Sequence, residues 1–526
     1  MSSLLRNCAI PTAFLGIATI SATWYNIVSK HVPEPYLDEF FHIPQAQKYC
    51  NGDWTWDPKI TTPPGFILRT LRKGRPSSQS HSKAKQHGPE QDDTDTTTIL
   101  DAHSALNVSL LPPLFFFSGL YYTDVMSTLV VLVTYDAFLK RQKGRKSFHE
   151  DILSVVLGIF ALWFRQTNIF WVAVFPAALA VVNSLQNNSS KPLVSDKRTL
   201  SAILSKSWND GVVCDTYIQD AGITDYLIFL LSTCLAALGR PILVLRVIAP
   251  YVFLVGIFAA FVVWNGGVVL GDKSAHVATI HLPQMLYIWP YIVLFSAPLT
   301  GGLLLQPLIS LLPKGKPRGF IQDNLVGPTK AQIPHIIPAA LFLALGTAAV
   351  HYNTIIHPYT LADNRHYVFY VFRILRRNPL NKYAAVPFYY VCAWITVQSL
   401  GSEPGSDGTN TKQKREKADA TASPVGRQPS QISFFIVWLA TTTLSVVSAP
   451  LVEPRYFIIP WIIWRLHVPD ISATPFRRSA SKTSFDLRLV LETVWLLAIN
   501  ALIAYNFLYR GFSWPNEPGK VQRFLW

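Results

Sequence analysis

Acidic, basic and histidine side chains recur in this sequence at the edges of apolar runs, set among aromatic residues. In "PYLDEFFHIPQAQKYC" Asp38 and Glu39 are adjacent. On a helix they point about 100° apart, so only one can face a given site, while Asp38 and His42 share a face. Such a carboxylate can act as a general base. It can equally be a solvated acid on an interfacial helix that sinks Phe40, Phe41 and Trp54 into the headgroups. The segment ends in the stiff loop "DPKITTPPG".

The other polar clusters allow two readings in the same way. Asp124 in "LYYTDVMSTLVV" is either a helix cap, shared with Thr123, or a site residue. Arg165, Gln166 and Asn168 in "FRQTNIFW" sit directly between two apolar runs, where the arginine either snorkels or meets a phosphate. Gly266, Gly267 and Gly271 in "WNGGVVLGDKSAHVATIH" suit a backbone close to a ligand, followed by Asp272, Lys273 and His276. That stretch lacks the phosphate-loop pattern. His276 and His281 have no third ligand nearby, so no metal site is expected. In "HPYTLADNRHYVFYVFRILRR", Asp363 and Asn364 precede Arg365 and His366, a pair suited to a phosphate. "LVEPRYFIIPW" places Glu453 two residues before Arg455, where the two can simply pair.

The elements that must hold these residues are membrane helices. Half of the 526 residues are hydrophobic and 15% are charged, against about 25% in soluble domains. Apolar runs are expected to span at 8–28, 104–122, 124–139, 151–165, 168–183, 241–264, 284–312, 333–355, 382–400, 432–449, 456–466 and 487–508, with 225–238 a further span or an interfacial helix. They lack barrel-like alternation, so the fold class is an all-α polytopic membrane protein. The first run has no clean cleavage site and reads as an uncleaved span. The net charge of +15 collects in short loops, the positive-inside pattern, and this argues against nucleic acid as a partner. Five scattered cysteines form no CxxC pair and indicate neither a disulfide framework nor a zinc site.

Loops therefore sort by side. Residues 140–150, 184–224, 313–330, 401–430 and 467–484 are mostly basic and read as cytosolic, with 401–430 a low-complexity linker. The candidate residues fall in the other set of loops, beginning with 31–65, which is lumenal if the N-terminus is cytosolic. One polar face with acids, phosphate-capable bases and aromatics fits glycosyl transfer from a lipid phosphate. A carboxylate takes the acceptor proton, and Arg or Lys stabilises the departing phosphate. A transporter would place charges mid-span and show internal repeats, and neither is visible. A mannosyltransferase using the same kind of donor is not separated from a glucosyltransferase by spacing.

Six collinear blocks closely resemble the α-1,2-glucosyltransferase family of the dolichol-linked oligosaccharide pathway: "PYLDEFFHIPQAQKYCNGDWTWDPKITTPPG", "GLYYTDV", "FRQTNIFWV", "WNGGVVLGDKSAH", "HPYTLADNRHYVFYVFR" and "LVEPRYFIIPW". The resemblance runs from the first span to about Trp464. It implies a C-type (GT-C) glycosyltransferase architecture of about 12–13 spans in the endoplasmic reticulum membrane, as one polytopic domain with a lumenal site. It implies dolichyl phosphate glucose as donor and the diglucosylated dolichyl-diphosphate oligosaccharide as acceptor. The third and last glucose is added with inversion. It also implies Asp38 as base with Glu39 as partner or alternative, and no cofactor. Arg365, His366, Arg165, Lys273 and Arg455 are then candidates for the donor phosphate and sugar. His42, Asp124, Asp272, Asp363 and Asn364 support them.

One departure stands out. The family has a descending span after "TTPPG", whereas here residues 69–103 are basic, then acidic, and too polar to cross a bilayer. One helix is thus expected to be missing after residue 66, with an imperfect gene model or a splice form as the cause.

Overall fold

The protein is described by a computed structural model over residues 2–65, 93–143, 148–189, 199–271, 273, 279–313, 315–321, 325, 334–355, 358–401, 430–449, 451–469 and 486–526. Asp272, His276, most of the 401–430 linker and the 69–92 part of the atypical segment lie outside these residues. The chain is built almost wholly from helices, as expected. From the N-terminus come α1 (Ser2–His31), α2 (Glu39–Cys50), α3 (Asp93–Ser109), α4 (Pro112–Phe117), α5 (Asp124–Lys143), α6 (Phe148–Leu162), α7 (Phe175–Asn188), α8 (Leu200–Asp210), α9 (Ile223–Leu238) and α10 (Pro241–Asn265). Then follow α11 (Gln284–Phe295), α12 (Ala297–Leu311), α13 (Lys316–Ile321), α14 (Ile336–Tyr352), α15 (Pro358–Ala362), α16 (Tyr367–Arg377), α17 (Asn381–Gln398), α18 (Ile432–Val447), α19 (Ile458–Arg465) and α20 (Leu487–Tyr509). A two-stranded hairpin, β1 (Phe512–Ser513) with β2 (Val521–Gln522), follows α20.

Among the described residues, four helices have the length and hydropathy to cross a bilayer: Cys8–His31, Gln166–Asn188, Pro241–Asn265 and Leu487–Tyr509. The expected span at 284–312 is bent by 92° where α11 meets α12. Pro298 enters at the start of α12, and Ser296 at the break accepts a hydrogen bond from Trp461 Nε1 at 3.0 Å. Proline also divides the expected span 104–122, because Pro112 and Pro113 can open α4 but cannot continue α3. The run from Gln166 is a 3₁₀ turn, a π turn and then α7, held at its start by Asn168, which donates to Ala161 O at 2.8 Å. Short, broken helices of this kind are tolerated at membrane depth only where neighbouring protein satisfies the freed backbone.

Packing around the breaks is aromatic. Trp438, Trp461 and Trp464 are fully buried, and each indole N–H is satisfied: Trp438 by Pro460 O at 2.9 Å, Trp461 by Ser296 and Trp464 by Thr396 O at 3.2 Å. Two charges do lie inside expected spans. Arg465 and Glu492 pair at 2.8 and 2.7 Å with both side chains buried, and Asn107 of α3 donates to Glu492 at 2.8 Å. The reading of spans free of charge is corrected here. The pair neutralises itself between α3, α19 and α20, so it ties helices together and leaves no open polar path.

Helix directions follow from contacts along α20. Leu489 at its start shares an apolar cluster with Leu100 of α3, Thr493 donates to Asn107 at 2.6 Å, Asn500 donates to Leu110 O, and Phe507 packs on Phe116 of α4. Thus α3 and α4 run in the same direction as α20. The end of α1 meets the end of α20, where the His31 and Tyr509 rings lie 5.5 Å apart. All four ascend to one face, and the loops carrying Asp38, Asp124 and Arg455 gather there.

Candidate active site

Asp38 is aimed by a backbone kink. Leu37 has φ +51°, the one non-glycine residue with positive φ among the described residues, a conformation that costs roughly 1–2 kcal/mol. The kink turns the chain into α2 and is held from both sides. The Asp38 N–H donates to the Tyr122 hydroxyl at 3.2 Å. One residue before Leu37, the Tyr36 hydroxyl donates to Arg523 O at 2.9 Å and accepts from Arg523 N at 2.8 Å.

The adjacent carboxylates have different surroundings. Glu39 is buried, and its oxygens accept from two backbone amides, Tyr36 at 3.0 Å and Tyr121 at 2.5 Å. Burial raises its pKa, with the two amides and Asp38 acting as smaller influences. Asp38 retains 43% side-chain exposure and meets Arg455 Nη1 at 3.1 Å. His42 lies one turn on, buried, with its Nε2 3.4 Å from Thr62 Oγ1. Burial lowers its pKa despite Asp38, so it is a neutral imidazole beside the acid.

Arg455 is the hub. It contacts Glu453 through Nε and through Nη2, the latter at 3.1 Å, while Nη1 reaches Asp38. Burial would raise the Glu453 carboxyl. Arg455, His366 and Arg165 outweigh it and hold the group down to about 2. Beside this hub, Asp124 pairs with Arg165 at 3.0 Å. Its carboxylate faces that arginine, and its Oδ2 has no hydrogen-bond partner among the described residues. Asp124, Arg165 and Arg455 line one cavity of about 290 Å³, whose other walls include Phe258, Val268 and Ile459. The lining thus combines two arginines and Asp124 with apolar side chains.

The remaining candidates are placed elsewhere. Lys273 donates to Asn265 O at the end of α10 and does not line that cavity. The close approach at Gly271, φ +67°, is to the chain's own first loop: a Cβ there would lie 2.2 Å from Pro58 O and 2.6 Å from Ile60 O. Arg365 is saturated internally. Its Nε and Nη2 reach Asp363 at 2.9 and 2.7 Å, Nη1 reaches Gln522 at 3.1 Å, and its guanidinium lies 4.6 Å from the Trp514 ring centre. His366 Nδ1 meets Trp526 O at 2.8 Å, and Asn364 accepts from Trp514 Nε1 at 2.8 Å.

These contacts reveal the part that the sequence reading passed over, the segment 510–526. A parallel bridge joins His366 to Leu525, and Arg523 donates to Phe507 O, Leu508 O and His31 O. The turn-forming "PNEPGK" between "GFSW" and "VQRF" is a hairpin signal that was available in the sequence.

A family model described as the DIE2/ALG10 family matches residues 32–87 and 77–466. A relative from Emericella nidulans, named Dol-P-Glc:Glc(2)Man(9)GlcNAc(2)-PP-Dol alpha-1,2-glucosyltransferase, is 38% identical over 100% of this chain and 98% of its own length. Proteins of the same name from Arabidopsis thaliana and Mus musculus are 30% and 29% identical, covering 97% and 96% of this chain and 99% and 96% of their own lengths. No solved structure matches. With its membrane helices, its arginine-lined cavity and these matches, the chain belongs to the DIE2/ALG10 family.

Proposed function

We propose that this protein is the endoplasmic reticulum glucosyltransferase that moves glucose from dolichyl phosphate glucose, in α-1,2 linkage, to the diglucosylated dolichyl-diphosphate oligosaccharide. The names of its relatives support the donor, acceptor and linkage. In the mechanism, Asp38 takes the proton from the acceptor 2-hydroxyl as that oxygen attacks the glucose C1. The C1–O bond to phosphate breaks on the opposite side, so the configuration inverts. Arg165 and Arg455 balance the charge on the lipid phosphate as it leaves. Phe258 and Ile459 in the cavity lining suit the first isoprenoid units. The site faces the lumen in a C-type glycosyltransferase architecture. The observation that carries this reading is that Asp38 is the exposed carboxylate of the cluster, whereas Glu39 and Asp124 are buried and Glu453 is enclosed by Arg455. A microsomal assay with both lipid substrates tests it. Triglucosylated product should form with the parent protein and be lost in Asp38→Asn. Normal turnover in Asp38→Asn with loss in Glu39→Gln would move the base to Glu39.

We also propose that the functional form carries a further descending span between Gly65 and Asp93. Gly65 N donates to Trp163 O on the site face, and α3 ascends to that face again, so two successive elements arrive at one face and a functional form needs a descending span between them. The family match divides in this segment. The Emericella alignment spans 613 positions against 526 residues, leaving at least 87 positions of that relative opposite gaps. Sequencing of transcripts across the codons for Gly65–Ala105 should return an added apolar stretch. Transcripts that only repeat the present reading would refute it.

A further inference from the structure

From Asn364 to Ser402 the chain has no Asp or Glu, yet it carries Arg365, Arg373, Arg376, Arg377 and Lys382. Arg365 is neutralised by Asp363. The other four lie on α16 and the first turn of α17, and none pairs with a carboxylate among the described residues. The three arginines are exposed. Lys382 is half-buried, with its ammonium 4.9 Å from the Tyr383 ring centre.

A cavity of about 310 Å³ opens beside them, between α14, α16 and α17. Arg376, Lys382 and His351 line it, over aromatic walls from Tyr287, Phe372 and Tyr389. The walls are rigid: the Tyr287 ring meets Phe372 and Tyr389 edge-on, each at 5.9 Å. At the mouth, His351 Nδ1 and Tyr383 Oη are 2.8 Å apart. The neighbouring stripe of α16 exposes Val371 and Ile374, and Leu380 follows it, so α16 has the character of an interfacial helix with a cationic side.

Two physical points give this cavity a ligand. Basic residues concentrate on the cytosolic side of membrane proteins, whereas α16 is capped by His366 on the face that holds the candidate site, so four cations here run against that trend. Arginines unpaired among the described residues, on a helix of interfacial character beside a cavity, suit a lipid-borne phosphoryl group of high charge, which Arg can grip bidentately. The donor phosphate has to sit where Asp38 and the acceptor hydroxyl meet, a place served by Arg165 and Arg455. In the acceptor, the reacting glucose is at the tip of the oligosaccharide and the diphosphate is at its root, so the two need separate sites. At 1.5 Å per residue, Arg376 stands roughly 15 Å along α16 from its site end. We infer that the cavity of Arg376, Lys382 and His351 binds the diphosphate of the lipid-linked oligosaccharide acceptor. This rests on the glucosyltransferase reading above.

The test uses the full-length protein in phosphatidylcholine vesicles with dolichyl phosphate glucose and the diglucosylated dolichyl-diphosphate oligosaccharide. The double variant Arg376→Ala, Lys382→Ala should raise the acceptor KM about tenfold, with donor KM and kcat within about twofold of the parent. The exchange Arg376→Lys, Lys382→Arg, which keeps both charges, should restore most of the affinity. Farnesyl diphosphate should compete with the acceptor in the parent and lose potency in the double-alanine variant, and farnesyl phosphate should compete weakly in both. An unchanged acceptor KM in the double-alanine variant would overturn the inference. So would an effect seen only after phosphatidylinositol is added to the vesicles, since the cavity would then serve bulk anionic lipid. If the parent makes no triglucosylated product, the glucosyltransferase reading fails on its own. Direct binding of farnesyl diphosphate to the parent and the double-alanine variant still decides whether the cavity takes a diphosphate.

Discussion

Two arginine–carboxylate clusters stand on the same face of this protein and do different work. Around Arg455, the partners are Asp38 and Glu453, and the guanidinium also borders a cavity shared with Arg165. Around Arg365, the partner is Asp363, and the remaining faces are closed by Gln522, Trp514 and Tyr36. Both centre on an arginine paired with a carboxylate two residues away in sequence. What differs is what fills the last side of the arginine: an open cavity in one, the chain's own 510–526 segment in the other. An arginine with a free edge can hold a ligand phosphate. One whose donors are already taken holds a fold.

The largest effect should come from the open cluster. Asp38→Asn keeps the shape but removes the carboxylate proposed as base, and kcat should fall about a thousandfold with thermal stability unchanged. Next, Arg455→Lys should lower kcat roughly a hundredfold, because a point charge replaces a fork that serves two carboxylates and a leaving phosphate. The closed cluster should respond in the opposite currency. Arg365→Ala should destabilise by on the order of 1–2 kcal/mol, visible as a lower thermal midpoint that Trp514→Ala shares, while donor KM stays within about twofold. A raised donor KM at unchanged stability in Arg365→Ala would erase the contrast and make both clusters phosphate clamps.

The smallest effect is a pH slope. Glu39 has a raised pKa, so the folded protein holds its proton to higher pH than the unfolded chain does. Stability from this group is full below the ordinary value of 4.5 and declines as pH rises through the window just above it. Glu39→Gln should flatten that slope in thermal midpoint measured against pH. Glu453 behaves conversely. Its contribution is complete above 4.5 and is lost as pH falls towards about 2, so it stays ionised throughout the range in which the enzyme can be assayed.

Much of the open cluster was legible from residue types at span edges. Asp38, Asp124, Arg165 and Arg455 come from four separate blocks, and the structure brings them together. The choice between Asp38 and Glu39 was not legible, because it turns on which carboxylate captures the backbone amides of Tyr36 and Tyr121. Nor was the fate of Arg365, since its stacking partner Trp514 lies in a hairpin far along the chain. Helix continuity was misjudged where hydropathy runs smoothly through Ser109–Pro113 and Ser296–Pro298, since apolarity says nothing of backbone breaks. The buried Arg465–Glu492 pair escaped for a related reason: each charge looked terminal until α19 and α20 were set side by side.

The hydrogen bond between Arg455 and Asp38 joins residues 417 apart in sequence. At about 5–20 residues per second of synthesis, roughly 20–80 s separate the making of Asp38 from that of Arg455. Throughout that interval the first loop carries Asp38 without its arginine partner. The cluster therefore closes late, and a chain that stalls before Arg455 lacks the contact that links Asp38 to this end of the sequence.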